Sequence, residues 1–190
     1  MAKSKLAPFI ESISGKLGNA VFRTRNGKTV IAKRPDMSNV ESSEAQMDVR
    51  EAFSRASRYS DAVMDDPEAL APYAKAAEKS TDLSARNIIM QDYLSPPTVD
   101  DIDLSGYSGS PDDVIAISAH DVFEVADVTV TITDESTGEE MESGSAEYVS
   151  DGRWSYRVDG TVEPGTTVVI SAVAEDRPGN TAEKEAEVVV

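Results

Sequence analysis

A chain of 190 residues and 20.4 kDa has room for one large domain or two small ones, and 35 acidic against 18 basic residues give it a formal charge of −17. With no cysteine and a single histidine, His120, the sequence excludes disulfides, iron–sulfur clusters, thiolate or two-histidine metal sites and cysteine nucleophiles. The longest apolar run, Val114 to Ile117, is far too short to span a membrane, and no signal-like stretch follows Lys3 and Lys5, so synthesis in the cytoplasm without a signal peptide is expected.

The charge is unevenly spread: residues 1–34 carry +7, residues 35–96 carry −6 and residues 97–190 carry −18. Residues 1–19 mix glycine and serine with isolated apolar side chains and read as an extended arm. Residues 20–41 form a basic β-hairpin and linker. Ala20–Arg25 and Lys28–Arg34 flank Asn26-Gly27, a dipeptide suited to the positive φ angles of a type I′ turn. A two-residue turn sets Arg25 opposite Lys28, Arg23 opposite Val30, Phe22 opposite Ile31 and Ala20 opposite Lys33. Phe22 and Ile31 then share one face, and Arg23, Arg25 and Lys28 the other. A lone hairpin is marginal in water, so the Phe22/Ile31 face is expected to dock on helices or on another chain.

Residues 42–95 read as a small helical unit. Ser43 and Gln46 make a capping box ahead of a stripe of Ala45, Val49, Ala52, Phe53, Ala56, Tyr59 and Val63. Pro67 opens a second helix with Leu70, Tyr73, Ala74 and Ala77 on its apolar side. A third, capped by Ser80 or Thr81, carries Leu83, Ile88, Ile89, Met90 and Tyr93 and must stop before Pro96-Pro97. In residues 96–190 the period switches to alternation at Val114–Ala119, Val128–Ile132, Trp154–Val158, Thr167–Ala174 and Ala182–Val190. Turn signals recur between them, the pattern of a β-sandwich of about seven strands with Trp154 as core anchor. The fold class is thus α+β and multidomain: hairpin, helical unit, then an all-β sandwich.

The sandwich region resembles bacterial immunoglobulin-like domains. The likeness rests on Val128–Ile132 running to Gly138, on Gly152-Arg-Trp-Ser-Tyr156, on Pro164-Gly165-Thr166 and on the closing run from Ala172 through Asp176 to Gly179-Asn180-Thr181. It covers about half the chain and implies an immunoglobulin-like sandwich acting as a spacer, stalk or adhesive module. Residues 15–34, with the helical stretch after them, are also similar to uncharacterised Bacteroidetes and phage-associated proteins, a likeness that implies no particular activity.

Two groups of residues are candidate sites. Asp176 and Asn180, in the D-x-x-G-N turn, would ligate calcium if Asp100 and Asp101, with Asp134 or Glu135, joined them from nearby strand ends, as such loop ends do in some immunoglobulin-like relatives. The plainer reading is a tight turn in which Asp176 accepts backbone amides, so no cofactor is expected, calcium being the one exception. Phe22, Arg23, Arg25, Lys28, Ile31, Lys33 and Arg34 are the expected interface, more suited to an acidic protein surface than to nucleic acid, because only Phe22 interleaves the basic residues; the plainer reading of the basic side chains is a solvated face. His120-Asp121 is no acid–base pair, since neighbours in a strand face opposite ways.

The expected function is that of a non-catalytic structural or assembly protein of a multisubunit particle, a virion or surface assembly, with the basic arm and hairpin attaching and the acidic domain projecting. Its partners are further copies or other subunits, with no membrane insertion. The alternatives are a calcium- or glycan-binding adhesive module and a nucleic-acid-associated factor using the hairpin.

Overall fold

The computed structural model describes residues 2–3, 14–25, 28–34, 36, 42–80 and 82–190. Their secondary structure is mixed α and β, mostly β, and the chain divides into two compact units, residues 1–46 and 47–190.

In the first unit, β3 (Ala20–Arg25) and β4 (Lys28–Lys33) pair in the register expected of a two-residue turn, with Arg25 opposite Lys28, Phe22 opposite Ile31 and Ala20 opposite Lys33. The Asn26-Gly27 turn itself lies outside the described residues. The stretch read as an extended arm contributes two further strands. β2 (Gly15–Leu17) lies along β3 and β1 (Ala2–Lys3) along β4, giving the order β1-β4-β3-β2. The physical reason is the hairpin's two open edges, whose backbone donors and acceptors favour added strands over solvent. Gly18, at φ 56°, makes the tight return between β2 and β3, and the Arg34 amide donates to the Asn19 carbonyl at 2.8 Å.

Helices follow, the first of them starting at the end of the first unit and running into the second. Ser43 and Gln46 form the expected reciprocal cap of α1 (Glu44–Asp65), each amide donating to the other's side chain at 3.4 Å. Only the later part of the expected stripe is buried. Ala56 and Val63 are core, Tyr59 is half-buried, and Val49 and Phe53 stand exposed. α2 (Pro67–Lys79) starts behind Asp66, whose carboxylate accepts the amides of Glu68 and Ala69. α3 (Ala85–Leu94) starts later than expected. Its cap is Ser84, which accepts the Asn87 amide, while Ser80 turns the chain after α2 by accepting the amides of Asp82 and Leu83. Leu83 is consequently outside the helix and exposed. Val63, Tyr73 and Ile89 form the small helical core, and Phe123 from the β region packs into it.

The remaining eight strands build two antiparallel sheets. One has the order β5 (Thr98–Asp103), β6 (Val114–His120), β10 (Arg153–Arg157), β9 (Glu147–Ser150). The other has the order β12 (Thr181–Val189), β11 (Thr167–Asp176), β7 (Val125–Asp134), β8 (Glu140–Ser145). Alternate residues of both sheets point into one core: Ile115, Ile117, Trp154 and Tyr156 from the first, Val128, Val130, Ile132, Val168 and Ile170 from the second. This is a β-sandwich, and Trp154 lies in its core as the alternation predicts. β5, β8 and β9 are strands that charge-rich sequence with little apolar alternation did not announce. Each is an edge strand, held by backbone pairing to one neighbour, and β8 and β9 bury no residue fully.

Candidate functional site

The expected interface residues are divided by the sheet that carries them. Arg23 is exposed and pairs across from Val30, and Lys33 and Arg34 are exposed at the far end of β4. Phe22 and Ile31 face each other half-buried, with Thr29 buried on the same strand. Arg25 and Lys28 are joined by backbone register next to the turn. Lys16, on β2, adds another exposed cation.

Asp176 ends β11 and is 2% exposed. The turn after it closes on itself: the Asn180 amide and side-chain Nδ2 each donate to its carboxylate at 2.6 Å, and the Gly179 amide donates to its carbonyl at 3.2 Å. Asn180 Nδ2 also donates to the Tyr93 carbonyl at 3.2 Å, tying the turn to the end of α3. Asp100 and Asp101 do not join this turn. Asp100 lies at a bulge of β5, exposed, 2.6 Å from His120 Nδ1, with Lys184 donating to its carbonyl. Asp101 is exposed on the same strand, and Asp134 caps its own turn by accepting from Ser136 and Thr137.

Two other carboxylates meet Asp176 instead. Asp92 of α3 and Asp121, just after β6, each bring a carboxylate oxygen, and the three oxygens lie within 4.8 Å of one another. Asp92 is fully buried, and the Tyr73 hydroxyl donates to its Oδ2 at 2.5 Å. Asp121 Oδ2 accepts the amides of Phe123 and Glu124 at 3.1 and 3.2 Å. Asp92 Oδ1 and Asp121 Oδ1 are buried without a hydrogen-bond partner. Burial pushes the Asp92 carboxyl up to about 7; the Tyr73 hydrogen bond opposes this, while a hydrogen bond shared with the Asp121 carboxyl and then the charges of Asp121 and Asp176 add to it. Burial also raises Asp176, against the two bonds from Asn180. Desolvation, then the bond to Asp92, holds the Tyr73 hydroxyl protonated far above its ordinary range. Arg177, next in the chain, is engaged with Glu124 at 2.7 Å.

Chemically this is a hard-oxygen pocket with two uncapped acceptors, which a shared proton or a cation satisfies. Asp121 also lines a cleft of about 540 Å³ with His120, Phe123, Tyr148 and Trp154, a cleft that neither Asp92 nor Asp176 lines. Sequence spacing could not find this set, because Asp92, Asp121 and Asp176 come from a helix, a loop and a strand end. The one available signal was the lone acidic residue of α3, Asp92, between the apolar Ile88–Met90 and Tyr93-Leu94.

The fold thus defines the chain's larger unit as a β-sandwich with helices packed on one end. No protein-family model matches the chain, and no curated protein matches it. Among solved structures it is similar to CopC from Methylosinus trichosporium OB3b, at 17% identity and a TM-score of 0.38, over 50% of this chain and 92% of that one. That likeness carries no argument about function. No helix among the described residues is long and apolar enough to cross a membrane.

Proposed function

We propose that this chain is a non-catalytic structural protein of a multisubunit particle, a virion or surface assembly, in which the basic N-terminal sheet attaches and the acidic sandwich projects. The observation that carries the reading is the opposition of charge between the two units. Lys16, Arg23, Lys33 and Arg34 are exposed on the first, whereas residues 97–190 of the second carry −18. Such surfaces attract one another between copies and fall apart as salt screens them. The strand orders β5-β6-β10-β9 and β12-β11-β7-β8 support an immunoglobulin-like reading of the sandwich, since they follow the A-B-E-D and G-F-C arrangement with one strand added beside C. The short edge strands β1 and β2, of two and three residues, leave room for a neighbouring chain to extend that sheet.

Light scattering coupled to size exclusion tests this. The full chain is expected to form a large species at low salt that dissociates at high salt, and R23E/R34E to remain monomeric at both. An oligomer indifferent to salt and to charge reversal overturns the reading. A steeply salt-dependent shift of duplex DNA, with no self-association, moves the function to nucleic acid.

A second reading, a cation-binding module, is favoured by one observation: the two buried carboxylate oxygens of Asp92 and Asp121 that lack partners. Calcium is the ion this reading names, and a melting temperature that ignores both EDTA and added calcium argues against it.

A further inference from the structure

We infer that Asp92, Asp121 and Asp176 together bind one calcium ion, which pins α3 to the end of the sandwich. The inference rests on the cation-binding reading and is independent of assembly.

Asp92 is fully buried, yet its Oδ1 has no donor. Asp121 Oδ1 is likewise buried and has no donor group, and its carboxyl lies within hydrogen-bonding reach of that of Asp92. Leaving such oxygens bare in a low-dielectric site is costly, and three carboxylates converging there repel one another. All donors are oxygens, which selects a hard cation over a soft one. Their separations, all within 4.8 Å, let the three oxygens share one calcium sphere, whose ligands stand about 2.3–2.6 Å from the ion. Three carboxylates fill only part of the six to eight oxygen positions calcium takes, so the proposal requires water to complete the sphere by way of Asp121, which lines a cleft.

The surrounding groups hold the ligands in place, leaving Oδ1 of Asp92 and of Asp121 for the ion, while both oxygens of Asp176 accept from Asn180 and ligate through a remaining lone pair. Tyr73 fixes the other oxygen of Asp92, the Phe123 and Glu124 amides fix that of Asp121, and Asn180 fixes Asp176. Arg177, the nearby positive group, is held on Glu124. The three ligands come from α3, the β6–β7 connection and the end of β11, so an ion there cross-links segments that are otherwise joined by side-chain packing and the Asn180–Tyr93 bond. A shared proton between Asp92 and Asp121 would satisfy the same oxygens, and it makes the opposite prediction: added calcium changes nothing.

The test uses the full chain, stripped with EDTA and held at pH 8. Calcium at on the order of 100 times Kd is expected to raise the melting temperature by about 5–10 °C. Terbium, a calcium stand-in, is expected to luminesce on excitation of tyrosine, because Tyr73 touches a ligand. D92N preserves shape and the bond from Tyr73, and D121N provides an independent variant; both are expected to fold and to lose the calcium shift and the terbium signal. A calcium shift that survives in D92N and D121N places the ion elsewhere and overturns this site while leaving the cation-binding reading intact. No shift and no luminescence in the unaltered chain overturns both.

Discussion

Single residues in this protein show how burial and hydrogen bonding compete over one carboxyl group. Burial disfavours the charge of Glu142, but the Asp159 and Gly160 amides and the Tyr156 hydroxyl all donate to it and hold its pKa below the ordinary 4.5. A depressed folded value means that the bonds stabilise the protein above the unfolded pKa and that this contribution is lost as pH falls through the folded one. E142Q is therefore expected to melt below the parent at pH 7, and the difference to shrink as pH falls below the ordinary 4.5, in melting curves collected across pH. Backbone geometry decides another position. Gly152 has φ 74°, and a Cβ there would lie 2.6 Å from His120 Nε2 and 2.8 Å from the Ala119 carbonyl oxygen. G152A is expected to cost more than about 1 kcal/mol in urea unfolding, from the left-handed backbone and the backbone contact together.

Among the elements, the helices depend on the sandwich for part of their core. α1, α2 and α3 bury only Val63, Tyr73 and Ile89 as a cluster, which is thin for three helices, and Phe123 completes it by stacking on Tyr73 at 4.4 Å and 20°. F123A is expected to cost about 2 kcal/mol, below the roughly 3–5 kcal/mol of a fully buried phenylalanine because the ring is half-exposed. Limited proteolysis within residues 80–97 of F123A should accelerate, and an unchanged cleavage rate would show that the helices stand on their own contacts. The hairpin was legible as an element, down to its register, because Asn26-Gly27 and the flanking alternation leave one pairing. The start of α3 was not, because Ser80, Thr81 and Ser84 all suit a helix cap and only the packing of Ile89 and Asp92 selects the turn that begins at Ala85.

For the whole molecule, the separation of charge governs behaviour in solution. At 0.15 M salt the screening length is about 8 Å and at 1 M about 3 Å, so attraction between a basic sheet and an acidic sandwich of separate copies weakens over that range. Sedimentation across the same range is expected to show a continuous loss of mass; a species of constant mass would mean that apolar contact, such as that offered by exposed Val49 and Phe53 on α1, holds copies together instead.

The sequence alone determined the order of hairpin, helices and sandwich, the burial of Trp154 and the position of the main turns within the sandwich. These follow from local periodicity and from glycine, proline and asparagine chemistry, which act over a few residues. It also placed Asp176 and Asn180 together, since they are four apart in one turn. Tertiary structure alone decided that Asp176 meets Asp92 and Asp121 and not Asp100 and Asp101. The burial of Asp92 against the sandwich and the bulge that turns Asp100 out to His120 are consequences of packing between segments far apart in the chain. The same packing decided that Val49 and Phe53, apolar at helical spacing, remain exposed, because a stripe specifies a face without specifying what covers it.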